Sequence, residues 1–440
     1  MGKDTEFQGK RVLVVGLGKS GLAAAEFLRA RGAQVTLGDE KQIAVPPTGF
    51  EFTLLGPQTK PDFDLLVQSP GVPLEKPYFE NARQAGVKVT GEVELAAPFL
   101  RGPVIGITGA NGKTTTTTWT ALMMAAGGVA CQTGGNIGRP VTDMVATSRE
   151  DQWNIVELSS FQLETIETFS ATIAMVLNIT ANHLDRHHTM DAYVAAKARL
   201  LETQKRESVA VLNADDPVTA KLAAKVRGEI VWFSSTNKLD QGYCIDGEWI
   251  ILDGQRLMPL ESLGVPGRHN VENCMAAAAA SLLAGASRDG VCQAAKDFHG
   301  VEHRIEFVRQ RRGVRYYNDS KSTTAEATET AVGAFQSGLW LILGGSDKGL
   351  QYGHLSAVLR PKVKGVLLIG KIAQLLASQL GSELPITICG TMAAAVEHAA
   401  SKAFPGDVVL LSPGTASYDQ FANYEERGRA FKEIVNALEE

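Results

Sequence analysis

Residues Gly106-Ile-Thr-Gly-Ala-Asn-Gly-Lys-Thr-Thr-Thr-Thr117 have the types and spacing to hold a polyphosphate. A short apolar run, Pro103-Val104-Ile105, precedes them, and a helix-like run through Trp119, Leu122 and Met123 follows. The order strand, glycine loop, helix lets backbone N–H groups wrap a phosphate, and the helix N-terminus adds a favourable dipole. Lys113 can reach the outer phosphates, and the Thr114 hydroxyl can face Mg²⁺. Position 107 is Ile where the strict P-loop pattern has its first glycine. The bland alternative is a tight strand-to-helix turn.

Other reactive groups also follow apolar runs. Gly16-x-Gly18-x-x-Gly21, with Asp39 after the next run, matches the dinucleotide fingerprint. Read literally it predicts NAD, but the same geometry holds any diphosphate, including that of a UDP-sugar. Glu157 ends the run Trp153-Asn-Ile-Val and would suit Mg²⁺ beside a phosphate loop. His183 and His187 have a zinc-like spacing, yet the glutamate of His-Glu-x-x-His is missing. His183 therefore reads as a ligand or orienter for a second Mg²⁺, and His187 and His188 as structural or surface residues. Lys197 lies in Ala195-Ala-Lys-Ala198 on a helix from about Asp191. Burial would lower its pKa, and a neutral amine can take up CO₂ as a carbamate. On its residues alone, a solvated helix lysine is the ordinary reading.

Further along, Gly267-Arg268-His269-Asn270-x-x-Asn273 opens an alanine-rich helix, where amides can read a base edge or cap the helix. Arg304 could hold a phosphate. Three polar turns then follow apolar runs: Tyr317 to Thr324, Leu343 to Gly349 with Lys348, and Leu411 to Phe421 with Ser417 and Tyr418. Each alone could be a plain turn. Together they read as a cleft for a small carboxylate-bearing substrate.

The elements that must position these groups restart three times with a strand and a glycine loop, near Arg11, Arg101 and Glu302. Strands alternate with helices, so an α/β fold with parallel, doubly wound sheets is expected. Ligands of such sheets bind beyond the carboxyl ends of the strands. A length of 440 residues fits roughly three domains, set at 1–98, 99–301 and 302–440. The 44% hydrophobic and 21% charged shares are those of an ordinary globular protein, and a net charge of −5 argues against broad nucleic-acid binding. Five scattered cysteines without a CxxC pair suit a reducing cytoplasm. The apolar run at Val12 to Val15 is too short for a secretion signal, and Ala276 to Ala280 reads as buried helix, not a membrane span.

Taken together, Thr108-Gly-Ala-Asn-Gly-Lys-Thr114, Glu157-Leu-Ser-Ser-Phe-Gln-Leu-Glu164, Asn182-His-Leu-Asp-Arg-His187, Gly267-Arg-His-Asn-x-x-Asn273, Asn318-Asp-Ser-Lys-Ser-Thr323 and Leu411 to Phe421 with Arg427-Gly428 resemble the Mur ligase family. The likeness spans essentially the whole chain. The first, third and fourth motifs are shared with folylpolyglutamate synthases. The last two, with the Rossmann-like start, point to the member that adds D-glutamate.

The resemblance implies a Rossmann-like N-terminal domain for the UDP-sugar, a central P-loop-type ATPase domain and a Rossmann-like C-terminal domain for the amino acid. It implies ATP-dependent addition of D-glutamate to UDP-N-acetylmuramoyl-L-alanine through an acyl phosphate, in peptidoglycan precursor synthesis. Lys113, His183 and Lys197 would be catalytic. Gly109, Ala110, Asn111, Gly112, Lys113, Thr114, Thr115, Asn270, Arg304 and Asp319 would bind ATP. Thr114 and Glu157 would hold one Mg²⁺, and His183 with a carbamylated Lys197 a second. Lys19, Ser20, Gly71, Asn136 and His183 would contact the sugar nucleotide. Thr323, Lys348, Ser417, Tyr418 and Tyr424 would hold D-glutamate. A cytoplasmic monomer with no membrane span and no nucleic-acid partner is implied. A folylpolyglutamate-synthase-like ligase is the alternative, and a nucleotide-binding sensor a more distant one.

Overall fold

The computed structural model describes residues 6–43, 45–60, 62–265, 267–347 and 351–439, and the chain clusters into two compact units, Met1–Phe298 and His299–Glu440. The first unit holds two sheets. Its five-stranded sheet comprises β1 (Arg11–Val15), β2 (Gln34–Asp39), β3 (Glu51–Leu54), β4 (Leu65–Gln68) and β5 (Lys88–Gly91), in the order β3-β2-β1-β4-β5. Every neighbouring pair is parallel. Val12, Leu13, Val14 and Val15 are all buried, the pattern of a parallel strand covered on both faces. The strand order reverses at β1, so the glycine loop after it lies at the switch point. Gly16 has φ 91°, and a Cβ on it would come within 2.6 Å of Val72 Cγ2. A Cβ on Gly21 would lie 2.0 Å from the Gly16 carbonyl oxygen, so only glycine lets the helix Lys19–Arg29 start there.

The nine-stranded sheet comprises β6 (Val104–Thr108), β7 (Cys131–Gly135), β8 (Trp153–Glu157), β9 (Ile173–Val176), β10 (Val209–Asn213), β11 (Glu229–Ser234), β12 (Tyr243–Asp246), β13 (Trp249–Leu252) and β14 (Gln255–Pro259). Their order is β14-β13-β12-β11-β10-β9-β6-β8-β7, antiparallel only along β12-β13-β14. That meander turns at Gly247 and Gly254, both at positive φ. The alanine-rich helix runs Arg268–Leu283, and Ala276 to Ala280 are fully buried. The helix Lys113–Ala126 carries Trp119, which stacks on Phe298 with ring centroids 4.3 Å apart.

The second unit has one six-stranded sheet: β15 (Glu306–Arg311), β16 (Val314–Asn318), β17 (Leu339–Gly344), β18 (Val363–Ile369), β19 (Ile386–Gly390) and β20 (Val408–Leu411), ordered β15-β16-β20-β17-β18-β19. All pairs are parallel except the hairpin β15-β16. Among the described residues no helix is long and apolar enough to cross a membrane.

Candidate active site

The glycine loop expected to hold phosphate leaves β6 at Thr108 and enters the helix Lys113–Ala126 through Gly112, whose φ is 82°. Asn178, just beyond β9, clamps the loop. Its backbone carbonyl accepts from Ala110 N–H at 2.9 Å, its Oδ1 accepts from Asn111 N–H at 2.8 Å, and its Nδ2 donates to the Asn111 carbonyl at 3.2 Å. Lys113 Nζ folds back onto the carbonyls of Gly109 and Ala110, at 2.9 and 3.0 Å. Thr114 is buried and Thr115 half-buried, while Thr116 donates to Asn273 Oδ1 at 3.3 Å, tying this helix to the alanine-rich one. Asn270 is half-buried in the first turn of that second helix.

Behind the loop lies Lys197, 1% exposed, on the helix Met190–Glu202. Its Nζ donates to the Gly109 carbonyl at 2.8 Å and to Thr108 Oγ1 at 3.2 Å, and it sits 4.9 Å from the Tyr193 ring centroid. Burial drives its pKa well below the ordinary lysine value, the nearby Lys113 ammonium lowers it further, and Glu157 opposes both. The plain reading of a solvated helix lysine is thus overturned: small neighbours let the helix pack closely enough to bury the amine. Glu157, at the end of β8, is also buried. Its Oε1 accepts from Asn136 Nδ2 at 2.8 Å, whereas Oε2 is buried without a hydrogen-bond partner. A buried carboxylate oxygen left bare next to a phosphate loop fits a cation-binding role. His183 is exposed, has φ 53°, and begins the short helix Leu184–His187 with its ring 5.0 Å from that of Phe161. His187 is buried and bonded to Ser160 Oγ at 2.9 Å, a structural residue, while His188 is exposed.

Lys19 and Ser20 occupy the first turn after the Gly16 loop. Lys19 Nζ donates to the Gly138 carbonyl at 2.5 Å, in the loop that carries Asn136. Gly71 is exposed, and a Cβ there would meet nothing within 4 Å, so space alone does not require glycine. Glu92 and Glu94, unnoticed in the sequence, hold the segment between the two sheets. Glu92 accepts from Thr142 N–H and Oγ1, and Glu94 from the backbone N–H groups of Glu167, Thr168 and Phe169 and from Thr168 Oγ1.

In the second unit the three polar turns are joined. Gly414 N–H donates to the Ser322 carbonyl at 2.9 Å, and Ser346 N–H to the Ala416 carbonyl at 2.9 Å. Thr323 is half-buried, Ser417 buried, Tyr424 half-buried and Tyr418 76% exposed. Lys348 lies outside the described residues. Arg304 stands between His303 at φ 64° and Ile305 at φ 46°, so its place depends on two left-handed neighbours. Asp319 is buried and its carboxyl is pushed up to about 6 by burial, against hydrogen bonds from Ser322, Ser412 and the Ile305 N–H. Arg427 is buried and bonded through its guanidinium to Ser320 Oγ and to the carbonyls of Ser320 and Thr415. Glu302, His303 and Glu306 cluster closely enough to suggest a metal, yet both carboxylates already meet Lys432, at 2.6 and 2.9 Å.

The described residues thus combine sheets with helices between their strands, a glycine loop at the end of β6 and a buried lysine behind it. Residues 10–91 match the Mur ligase MurD-like N-terminal domain, 107–281 the Mur ligase middle domain, and 303–414 the Mur ligase glutamate ligase domain. The chain belongs to the Mur ligase family. Within it, the chain falls among the D-glutamate ligases. It is 51% identical over 438 residues to the UDP-N-acetylmuramoylalanine–D-glutamate ligase of Solibacter usitatus, covering 99% of each chain. It is 45% identical over 453 residues to the enzyme of that name from Acidobacterium capsulatum, covering 98% of this chain and 97% of the relative. The fold is shared with the UDP-N-acetylmuramate–alanine ligase of Thermotoga maritima, at TM-score 0.58 and 17% identity over 97% of this chain and 99% of that one. It is shared equally with MurF of the same organism, solved with ADP, at TM-score 0.58 and 16% identity over 99% and 97%.

Proposed function

We propose that this ligase joins D-glutamate to UDP-N-acetylmuramoyl-L-alanine, using ATP, in the cytoplasm. The substrates follow from the relatives that match along nearly the full length. The observation that carries the chemistry is the buried Lys197 amine against the Gly109 carbonyl, close to a Glu157 carboxylate with one bare oxygen.

A carboxylate is a poor electrophile at neutral pH. Its oxygen attacks the γ-phosphorus, the bond to ADP breaks, and an acyl phosphate forms. The D-glutamate amine then attacks the acyl carbon. The tetrahedral species loses a proton and expels phosphate, leaving an amide. The protein's share is positioning and charge neutralisation. Residues Gly109 to Thr115 would direct N–H groups and the Lys113 ammonium at the phosphates, Lys113 leaving its loop carbonyls for the moving γ-phosphoryl group. Asn270, Arg304 and Asp319 are assigned to ATP as well.

Two magnesium positions fit the donor set. Thr114 and the bare oxygen of Glu157 would hold one ion, and His183 with Lys197 as a carbamate the other. Bound there, Mg²⁺ supplies charge neutralisation for phosphate oxygens. The segment 1–98, through Lys19, Ser20 and Gly71, is assigned the uridine diphosphate, and Asn136 and His183 in segment 99–301 the sugar end. The segment 302–440, through Thr323, Lys348, Ser417, Tyr418 and Tyr424, is assigned D-glutamate.

The reaction route is tested with substrate labelled by ¹⁸O in its terminal carboxylate. One label must appear in the released phosphate. Product formed with unlabelled phosphate would contradict the acyl phosphate.

A further inference from the structure

Arg186 joins two loops that the proposed function assigns to opposite ends of one substrate. Its Nη2 donates to Glu164 Oε2 at 2.8 Å and to the Val72 carbonyl at 3.2 Å. The ion pair is well shielded, with side chains 9% and 17% exposed. The guanidinium lies 5.1 Å from the Phe161 ring centroid, while its Nε is buried without a hydrogen-bond partner. The guanidinium thus lies by the Phe161 ring with Nη2 shared between the Glu164 carboxylate and the Val72 carbonyl, so one side chain ties two loops together.

Each end of this bridge leads to a loop of interest. On one side, Val72 closes the turn after β4. Its carbonyl also accepts from Gln68 Nε2 at 2.6 Å, its N–H donates to the Ser69 carbonyl at 2.9 Å, and its side chain packs where a Cβ on Gly16 would lie. That turn carries Gly71 and rests on the Gly16 loop. On the other side, the Arg186 N–H donates to the His183 carbonyl at 3.1 Å. Glu164 also faces His187 Nδ1 at 3.4 Å, His187 Nε2 meets Ser160 Oγ at 2.9 Å, and Phe161 stacks on His187 while touching the ring of His183. The network Ser160–His187–Glu164–Arg186 thus holds the His183 turn and reaches across to the diphosphate loop.

We propose that Arg186 is a positioning residue that fixes the gap between the Gly16–Val72 loops and the His183 turn, so that a nucleotide sugar is read by its length from diphosphate to terminal carboxylate. The proposal rests on the reading that a UDP-sugar acid is the substrate. A ligand that occupies only the diphosphate end does not sense the gap. A ligand that must span both ends does, because its remote binding energy counts only if the carboxylate arrives in place.

The test uses the full chain with D-glutamate and Mg-ATP. Arg186→Lys keeps a cation against Glu164 but is shorter and not planar. The pair Arg186→Met with Glu164→Gln removes both charges together, so no buried charge is stranded. In both, KM for UDP-N-acetylmuramoyl-L-alanine rises about ten- to a hundredfold while the inhibition constant of UDP and the KM of ATP move less than about twofold. If UDP and the full substrate weaken in parallel, Arg186 merely supports the loop and the proposal fails. If neither weakens, it fails as well. Wild-type protein that does not turn over this substrate overturns the proposed function and this inference with it. Active wild type with insensitive variants overturns this inference alone.

Discussion

Lys197 and Lys113 direct their ammonium groups at one and the same acceptor, the Gly109 carbonyl, at 2.8 and 2.9 Å. Two cations on one oxygen repel each other, and Lys197 has the less water to screen it. Its folded-state pKa lies well below that of an unfolded lysine, with burial the larger cause and Lys113 the next. Between those two values the unfolded chain binds the extra proton, so stability rises with pH across the window. In CO₂-free buffer the melting temperature should climb as pH rises towards the ordinary lysine value of 10.5, and more for the wild type than for Lys197→Met. Parallel curves would show that Lys197 titrates normally. Added bicarbonate should stabilise the wild type further and introduce a ¹³C carbamate resonance that Lys197→Met lacks. Lys197→Ala should lose about 10²-fold or more in kcat, with partial rescue by short carboxylic acids.

Asn136 donates to one oxygen of Glu157 and leaves the other bare. An amide that orients a metal-binding carboxylate is worth about 10–100-fold in metal affinity. Asn136→Ala should therefore raise the Mg²⁺ concentration for half-maximal phosphate release by about that factor. Glu157→Gln should abolish most turnover with little loss of melting temperature, because it removes a buried charge that has only one partner. A Glu157→Gln enzyme with an unchanged Mg²⁺ profile would remove Glu157 from the metal site.

Glu92 and Glu94 are two residues apart yet titrate in opposite directions. Burial pushes the Glu92 carboxyl up to about 7, with the Thr142 hydrogen bonds opposing. Burial also raises Glu94, but its four hydrogen bonds outweigh this and hold it below the ordinary range. Glu92 therefore contributes stability below its unfolded value near 4.5 and loses it as pH rises through about 7. Glu94 contributes above its unfolded value of 4.5 and loses that contribution as pH falls through its lower folded value. Glu92→Gln should gain on the wild type between pH 5 and pH 8, a window set roughly by those values. Glu94→Gln should cost about 1–3 kcal/mol at neutral pH, with the deficit closing in acid. Thermal melts across pH check both signs.

Arg427 holds the turns of the second unit through the Ser320 and Thr415 carbonyls. Burial lowers its pKa to about 10, so it stays charged at neutral pH. Arg427→Lys reaches fewer of these acceptors and should raise KM for D-glutamate severalfold while KM for ATP stays put. Arg427→Ala leaves buried carbonyls bare and should cost about 1–3 kcal/mol for each. An unchanged D-glutamate KM in the lysine variant would detach these turns from amino-acid binding.

The strands that were legible in the sequence are those whose apolar runs stop at a glycine or polar turn, such as Val12 to Val15 before Gly16 and Pro103 to Ile105 before Gly106, although the second strand runs on to Thr108. β7 was not legible, because Cys131-Gln-Thr-Gly-Gly135 has no apolar run; its glycines admit Met144 and the Glu157 carbonyl at close range. β15 is an amphipathic edge strand, half-exposed along Glu306–Arg311, and escaped for the same reason. At the site, the strand, glycine loop and helix around Gly109 to Lys113 were legible through local spacing. Lys197 was less plain: its partners Thr108 and Gly109 are 89 and 88 residues away, and only the resemblance to Mur ligases raised it above a solvated helix lysine. Asn178 and Glu94 likewise act through contacts 67 or more and 73 or more residues distant, and Arg186 through contacts 22 and 114 residues distant, which no local pattern encodes.

The central claim is most directly tested by phosphate release from Mg-ATP with UDP-N-acetylmuramoyl-L-alanine, comparing D-glutamate, L-glutamate, meso-diaminopimelate and L-lysine. Turnover with D-glutamate alone is the expected result. Turnover with one of the others instead, or with none, would contradict it.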